Sequence, residues 1–125
     1  MRILVIDDDA LVLKSLSHRF TEEGHIVETA RDGGEANDKI ENAKTQPDLI
    51  ICDLLMPNFS GLTFMSMLRN FHNYSIPVIV ISSLQQGDLL AAQAGFNNID
   101  FIAKPFSFEE ITERVQKYNL NLPKS

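Results

Sequence analysis

A chain of 125 residues with 44% hydrophobic content is long enough for one ordinary domain with a real core and too short for a second. Its 17 acidic residues outnumber 11 basic ones for a net charge of -6, which disfavours direct binding to nucleic acid or an anionic membrane and favours small cations. A single cysteine excludes an internal disulfide, no apolar run approaches the ~20 residues that span a bilayer, and the N-terminus lacks a signal-peptide pattern, so a cytoplasmic location is expected.

Arg2 to Ile6 is an apolar, β-branched run that stops abruptly at Asp7-Asp8-Asp9, which predicts a strand with carboxylates at its carboxyl end. Val12, Leu13, Leu16 and Phe20 then recur at helical spacing from Ala10 to Glu23, with Asp9 placed to cap the helix and Gly24 to end it. His25 to Thr29 reads as a short second strand. Asp32-Gly-Gly-Glu35 resembles a capping signal for a helix to about Ala43, with a thin apolar side of Ala36, Ile40 and Ala43. Leu49 to Cys52 is uniformly apolar, as suits a strand covered on both faces, and it delivers Asp53 to its carboxyl end. On this stretch alone, an aspartate that only caps the turn before Met56-Pro57 fits equally well. Ser60-Gly61 opens a third helix marked by Leu62, Met65 and Leu68. Pro77 to Ile81 predicts a strand ending in Ser82-Ser83, followed by a short helix near Asp88 to Ala94 that Gly95 ends. Ile99 to Ala103 is the fifth strand, with Lys104-Pro105 directly at its end. Ser107-Phe-Glu-Glu110 is a capping box for a last helix that buries Ile111, Val115 and Tyr118. Strict alternation of strand and helix argues for one doubly wound parallel α/β sheet.

In such a sheet the chemistry sits beyond the carboxyl ends of the strands, where Asp7, Asp8, Asp53, Ser82 and Lys104 converge. Carboxylates ~4 Å apart repel by roughly 4 kcal/mol at an effective dielectric near 20, so the cluster either holds protons or binds a hard cation. Mg²⁺ suits it best, because Mg²⁺ takes a few carboxylate oxygens, keeps waters and recruits phosphate oxygens. A lysine beside such a site suits phosphoryl transfer, where catalysis is positioning plus charge neutralisation.

Ile-Leu-Val-Ile-Asp7-Asp8, Asp53-x-x-Met56-Pro57-x-x-x-Gly61, Val-Ile-Ser82 and Phe101-x-x-Lys104-Pro105-Phe106 together resemble the receiver domain of two-component response regulators, the chemotaxis-regulator-like family. The resemblance covers nearly the whole chain, with residues 1–119 as the receiver and 120–125 as a short polar tail. It implies a flavodoxin-like fold, a five-stranded parallel sheet with helices on both faces. It also implies a signalling phosphoacceptor rather than an enzyme, one that takes a phosphoryl group from the phosphohistidine of a sensor histidine kinase or phosphotransfer protein onto Asp53. Carried over residue by residue, Asp8 and Asp53 would ligate Mg²⁺ by carboxylates, Asp7 mostly through a water, and Leu55 by its backbone carbonyl. Lys104 and the Ser82 hydroxyl would contact the phosphoryl oxygens. Ser82 and Phe101 would form the switch that reshapes the face of the fourth helix, fifth strand and fifth helix for a downstream effector protein. Lys104-Pro105 is expected to be cis.

The rival reading is a receiver-like interaction module that is never phosphorylated. A flavin-binding protein of the same fold would need a phosphate-cradling loop after Ile6, where carboxylates stand instead. Ser83 replaces the alanine common in receivers, and Gly95 to Phe101 looks longer than the usual link. Asp100 and Arg114 resemble one of the charge pairs by which DNA-binding response regulators dimerise, but Glu110 lacks an evident basic partner, so a monomer or weak dimer is expected. Asp9 reads as a helix cap, Cys52 as a small buried residue, and His18, His25 and His72 as surface or partly buried polar groups.

Overall fold

The computed structural model describes residues 1–53, 76–82 and 99–120. Within them, β1 (Arg2–Ile6), β2 (Ile26–Ala30), β3 (Leu49–Asp53), β4 (Val78–Ser82) and β5 (Ile99–Ala103) form a sheet in the order β2-β1-β3-β4-β5. Every neighbouring pair is parallel, with Ile3 opposite both Val27 and Leu49, and with Ile50 opposite Val78. The helices described are α1 (Ala10–Glu22), α2 (Gly33–Asn42) and α3 (Phe108–Leu120), the last being the final helix of the sequence reading. The third and fourth helices expected from the sequence, together with Leu55, His72 and Ser83, lie outside the described residues.

Alternation along the strands divides the core between two faces. Leu4, Ile6, Ile50, Cys52, Val78 and Val80 line the face that α2 covers with Ala36 and Ile40. Ile3, Val5, Leu49, Ile51, Ile79 and Ile81 line the other, covered by Leu13, Leu16 and Phe20 of α1 and by Ile111 and Val115 of α3. Because helices pack on both faces, β1, β3 and β4 can carry uninterrupted apolar runs, Ile3 to Ile6, Leu49 to Cys52 and Val78 to Ile81, and every residue of β3 and β4 is buried. The edge strand β2 is buried fully only at Ala30, since half of its surface faces solvent.

Local chemistry fixes where the helices start and stop. The Asp9 carboxylate accepts from the N–H of Leu11 at 2.9 Å and of Val12 at 3.4 Å, so it caps α1 as expected. Asp32 accepts from the Glu35 N–H at 2.8 Å while Glu35 accepts from the Arg31 N–H at 3.0 Å, a reciprocal start to α2. After α1 the backbone turns at Gly24, whose φ of 94° is a conformation that side chains with a Cβ disfavour.

Three local expectations need correction. The second strand runs one residue later than His25 to Thr29, because the N–H of His25 still closes the helix end on the carbonyl of Phe20 at 3.0 Å. Ala43 is the C-cap of α2 rather than a residue of its buried face, and its extended backbone leaves it half-buried. His25 is buried at 8% exposure, edge-on to the Phe20 ring at 6.4 Å and hydrogen-bonded through Nδ1 to the Met1 amine at 3.1 Å.

Burial first, and then the Met1 ammonium, lowers the His25 pKa from its ordinary 6.5, against the opposing pull of Glu23. A base whose folded pKa is depressed binds its proton better in the unfolded chain, so His25 subtracts stability as pH falls below about 6.5. Urea unfolding at pH 7.5 and pH 5 should show wild type losing more stability on acidification than His25→Gln. An equal loss in both proteins would overturn this assignment.

Candidate functional site

The sheet order reverses direction between β1 and β3, and at that crevice the strands present polar carboxyl ends. Asp7 follows β1, Asp53 ends β3, Ser82 ends β4 and Lys104 follows β5. The carboxylates of Asp7, Asp8 and Asp53 each offer an oxygen, and these oxygens all lie within 4.8 Å of one another. Asp7 and Asp53 are 2% and 4% exposed, whereas Asp8 stands at the surface. Lys104 reaches across β4 to place its Nζ 2.9 Å from Oδ2 of Asp53. Its own N–H donates to the carbonyl of Ser82 at 2.9 Å, so the ladder between β4 and β5 continues to the base of the lysine. The Lys104-Pro105 peptide is cis, as expected.

Electrostatics mark the cluster as charge-dense and under-solvated. Burial pushes the Asp7 carboxyl up from 3.8 to about 6; the Asp9 N–H at 2.9 Å opposes this, Asp53 adds to it, Lys104 opposes it and Asp8 adds to it. Burial alone would lower the Lys104 ammonium, but its hydrogen bond to Asp53 and the charges of Asp53, Asp7 and Asp8 outweigh that and raise it. Lys104 therefore stays protonated beside Asp53 at neutral pH. Among the described residues, Lys104 set against this group of carboxylates leaves an excess of negative charge in a poorly hydrated crevice. The all-oxygen donor set, part buried and part open to solvent, fits a hard divalent cation that keeps some of its waters.

The structure thus brings together Asp7, Asp8, Asp53 and Lys104, with buried Ser82 at the adjacent strand end. Leu55 lies outside the described residues, and Phe101 is half-buried on β5, packed against the α2-side core. Cys52 is fully buried, and its thiol donates to the Asp53 carbonyl at 3.3 Å, in keeping with a packing role. Two features escaped the sequence reading. The Asp9 backbone N–H holds the Asp7 carboxylate, which an Asp two residues before a helix cap could have signalled. Arg114 pairs with Asp100 within the chain at 2.6 Å, a contact between β5 and α3 that spacing alone does not reveal.

This strand order, with an acidic crevice and a lysine reaching in from the end of β5, defines a doubly wound parallel α/β domain. Residues 3–116 match the family model of the response regulator receiver domain, and the chain belongs to that family. It is the receiver domain of a two-component response regulator. Response regulator MprA of Mycobacterium avium is 35% identical over 116 residues, covering 93% of this chain and 50% of MprA. The chain therefore spans about half the length of the curated relatives it matches. Among solved structures, the receiver domain of the Francisella response regulator 1452 is 31% identical, with a TM-score of 0.84 over 97% of this chain and 98% of its own. Response regulator TrrA from Thermotoga maritima, solved in complex with Mg²⁺ and BeF, is 29% identical with a TM-score of 0.78, covering 94% of this chain and 97% of its own. Among the described residues no helix is long and apolar enough to cross a membrane.

Proposed function

We propose that Asp53 accepts a phosphoryl group from the phosphohistidine of a sensor histidine kinase or phosphotransfer protein. The observation that carries this reading is the 2.9 Å approach of Lys104 to a buried Asp53 that also sits within a compact group of carboxylates. In the reaction a carboxylate oxygen of Asp53 bonds to phosphorus while the bond from phosphorus to the imidazole nitrogen breaks. The electron pair returns to the imidazole, which is reprotonated. Asp7, Asp8 and Asp53, with the backbone carbonyl of Leu55, would hold Mg²⁺, Asp7 mostly through a water. Bound there, the ion would supply positive charge to the phosphoryl oxygens. Lys104 supplies a second positive charge and positions those oxygens, and the Ser82 hydroxyl reaches them after transfer. The Asp9 N–H keeps Asp7 turned toward the crevice throughout.

In this reading residues 1–119 form the receiver, and the protein works in the cytoplasm. Phosphorylation adds about -1.5 to -2 charge, draws in Ser82 and redistributes Phe101 between pre-existing states. The face carrying β5 and α3 then meets a downstream effector protein, with the receiver as a monomer or weak dimer.

Incubation with a small phosphodonor and Mg²⁺ should raise the intact mass by one phosphoryl group, and hydroxylamine, which cleaves acyl phosphates, should remove it. A chelator should prevent the gain. An unchanged mass with Mg²⁺ present would overturn the proposal and leave the phosphorylation-independent interaction module in its place.

A further inference from the structure

β5 is an edge strand, so the backbone groups of its alternate residues point away from β4. The bond from the Lys104 N–H to Ser82 shows that the even-numbered residues face β4, which leaves Phe101 facing outward. Neither outward group of Phe101 is left bare. Its N–H donates to Oδ1 of Asp100 at 2.9 Å, and its carbonyl accepts from Nη1 of Arg114 at 3.2 Å. The same Nη1 donates to the same Asp100 Oδ1 at 2.6 Å, closing a ring of three contacts around one residue. Both side chains are about one-third exposed, at 30% for Arg114 and 35% for Asp100. The strand is thereby tied on its open side to α3, three residues before Lys104.

We propose that the Asp100–Arg114 pair is an intrachain lock that holds β5 against α3 and so opposes phosphoryl binding at Asp53, a regulation that rests on the reading of the site given above. The lock is closed while Lys104 is paired with the Asp53 carboxylate. Receiving a phosphoryl group requires Lys104 to leave that oxygen for the new ones, and the end of β5 carries the lysine. Contacts that hold β5 in place therefore favour the unmodified arrangement, and releasing them lowers the cost of the other. Arg114 acts through β5 and does not touch the reacting atoms, so it is a positioning residue. Its guanidinium is engaged within the chain, which also withdraws it from contact with a second copy.

Titration with Mg²⁺ and beryllofluoride, a phosphoryl mimic, followed by calorimetry, tests the lock. Arg114→Ala should bind the mimic about fivefold more tightly than wild type, at the low end of site-to-site couplings because the pair is partly exposed. Its affinity for Mg²⁺ alone should not change, and Arg114→Lys should return toward wild-type affinity. Asp100→Ala should reproduce the gain, and the double variant should add nothing further. An unchanged or weakened affinity in Arg114→Ala, an equal change toward Mg²⁺ alone, or additive gains would each overturn the lock. No binding of the mimic by wild type would instead overturn the reading of the site, and the lock with it.

Discussion

Asp53→Asn should take up no phosphoryl group under conditions that modify wild type completely. The substitution is nearly isosteric, and the amide oxygen can still accept from Lys104, so the 4% exposed position should remain filled and the fold intact. What disappears is the anionic nucleophile. Asp7 and Asp8 stand close enough to serve as substitutes, since their oxygens lie within 4.8 Å of the Asp53 oxygen. Asp7 is nonetheless held by the Asp9 N–H, and neither aspartate is engaged by Lys104 as Asp53 is, at 2.9 Å. Lys104→Ala separates nucleophile from positioning. It keeps the acceptor but should slow uptake by roughly 10²- to 10³-fold, the usual loss on removing one preorganised charge-stabilising group. Intact-mass spectrometry over time reads both variants. A phosphoryl group on Asp53→Asn would reassign the acceptor to another carboxylate, and an undiminished rate in Lys104→Ala would remove the lysine from the mechanism.

Phe20→Ala should destabilise the protein by about 3–5 kcal/mol, as emptying a large, fully enclosed site does. Phe20 is 0% exposed, sits among Ile3, Val5, Leu16 and Val115, and presents its ring to His25. Residues of β1, α1 and α3 share that cluster with it. Against a typical total of about 5–15 kcal/mol, such a loss removes a large share of stability and lowers Tm by well over 10 °C. Leu11→Ala supplies the contrast: Leu11 is 75% exposed, and its removal should stay within about 0.5 kcal/mol. Thermal unfolding of both variants decides the matter. A drop below about 1 kcal/mol for Phe20→Ala would show that this side of the core is loosely packed.

The sheet was legible in the sequence because the buried strands carry uninterrupted apolar runs that end in charge, as in Ile6 before Asp7 and Cys52 before Asp53. The convergence of Asp7, Asp8, Asp53 and Lys104 was legible for the same reason, since parallel strands put all their carboxyl ends on one side. Less legible were features set by tertiary geometry. His25 lies between Gly24 and an exposed Ile26, so its sequence neighbours do not predict its burial, which arises from the turn at Gly24 folding it back onto Phe20. β2 starts one residue later than its sequence pattern suggests because the His25 N–H is still engaged by the Phe20 carbonyl at the end of α1. Asp100 and Arg114 stand 14 residues apart on different elements, and nothing in that spacing distinguishes a pair within the chain from a pair between chains.

The placement of β1 also governs the order in which the molecule can assemble. Of the described strands, the first in chain order lies inside the sheet, between β2 and β3. Its partner Leu49 lies 46 residues beyond Ile3, so one flank of β1 must wait for more than a third of the chain to be made. During that interval the apolar run Ile3-Leu4-Val5-Ile6 has α1, β2 and α2 as its available cover. Those early segments form the local unit that can shield it, and the Asp7-Asp8-Asp9 triplet that later serves the crevice meanwhile charges its end against association with other nascent chains. Parallel pairings between such distant segments slow folding, which places weight on how well the segment from β1 to α2 holds together before β3 joins it.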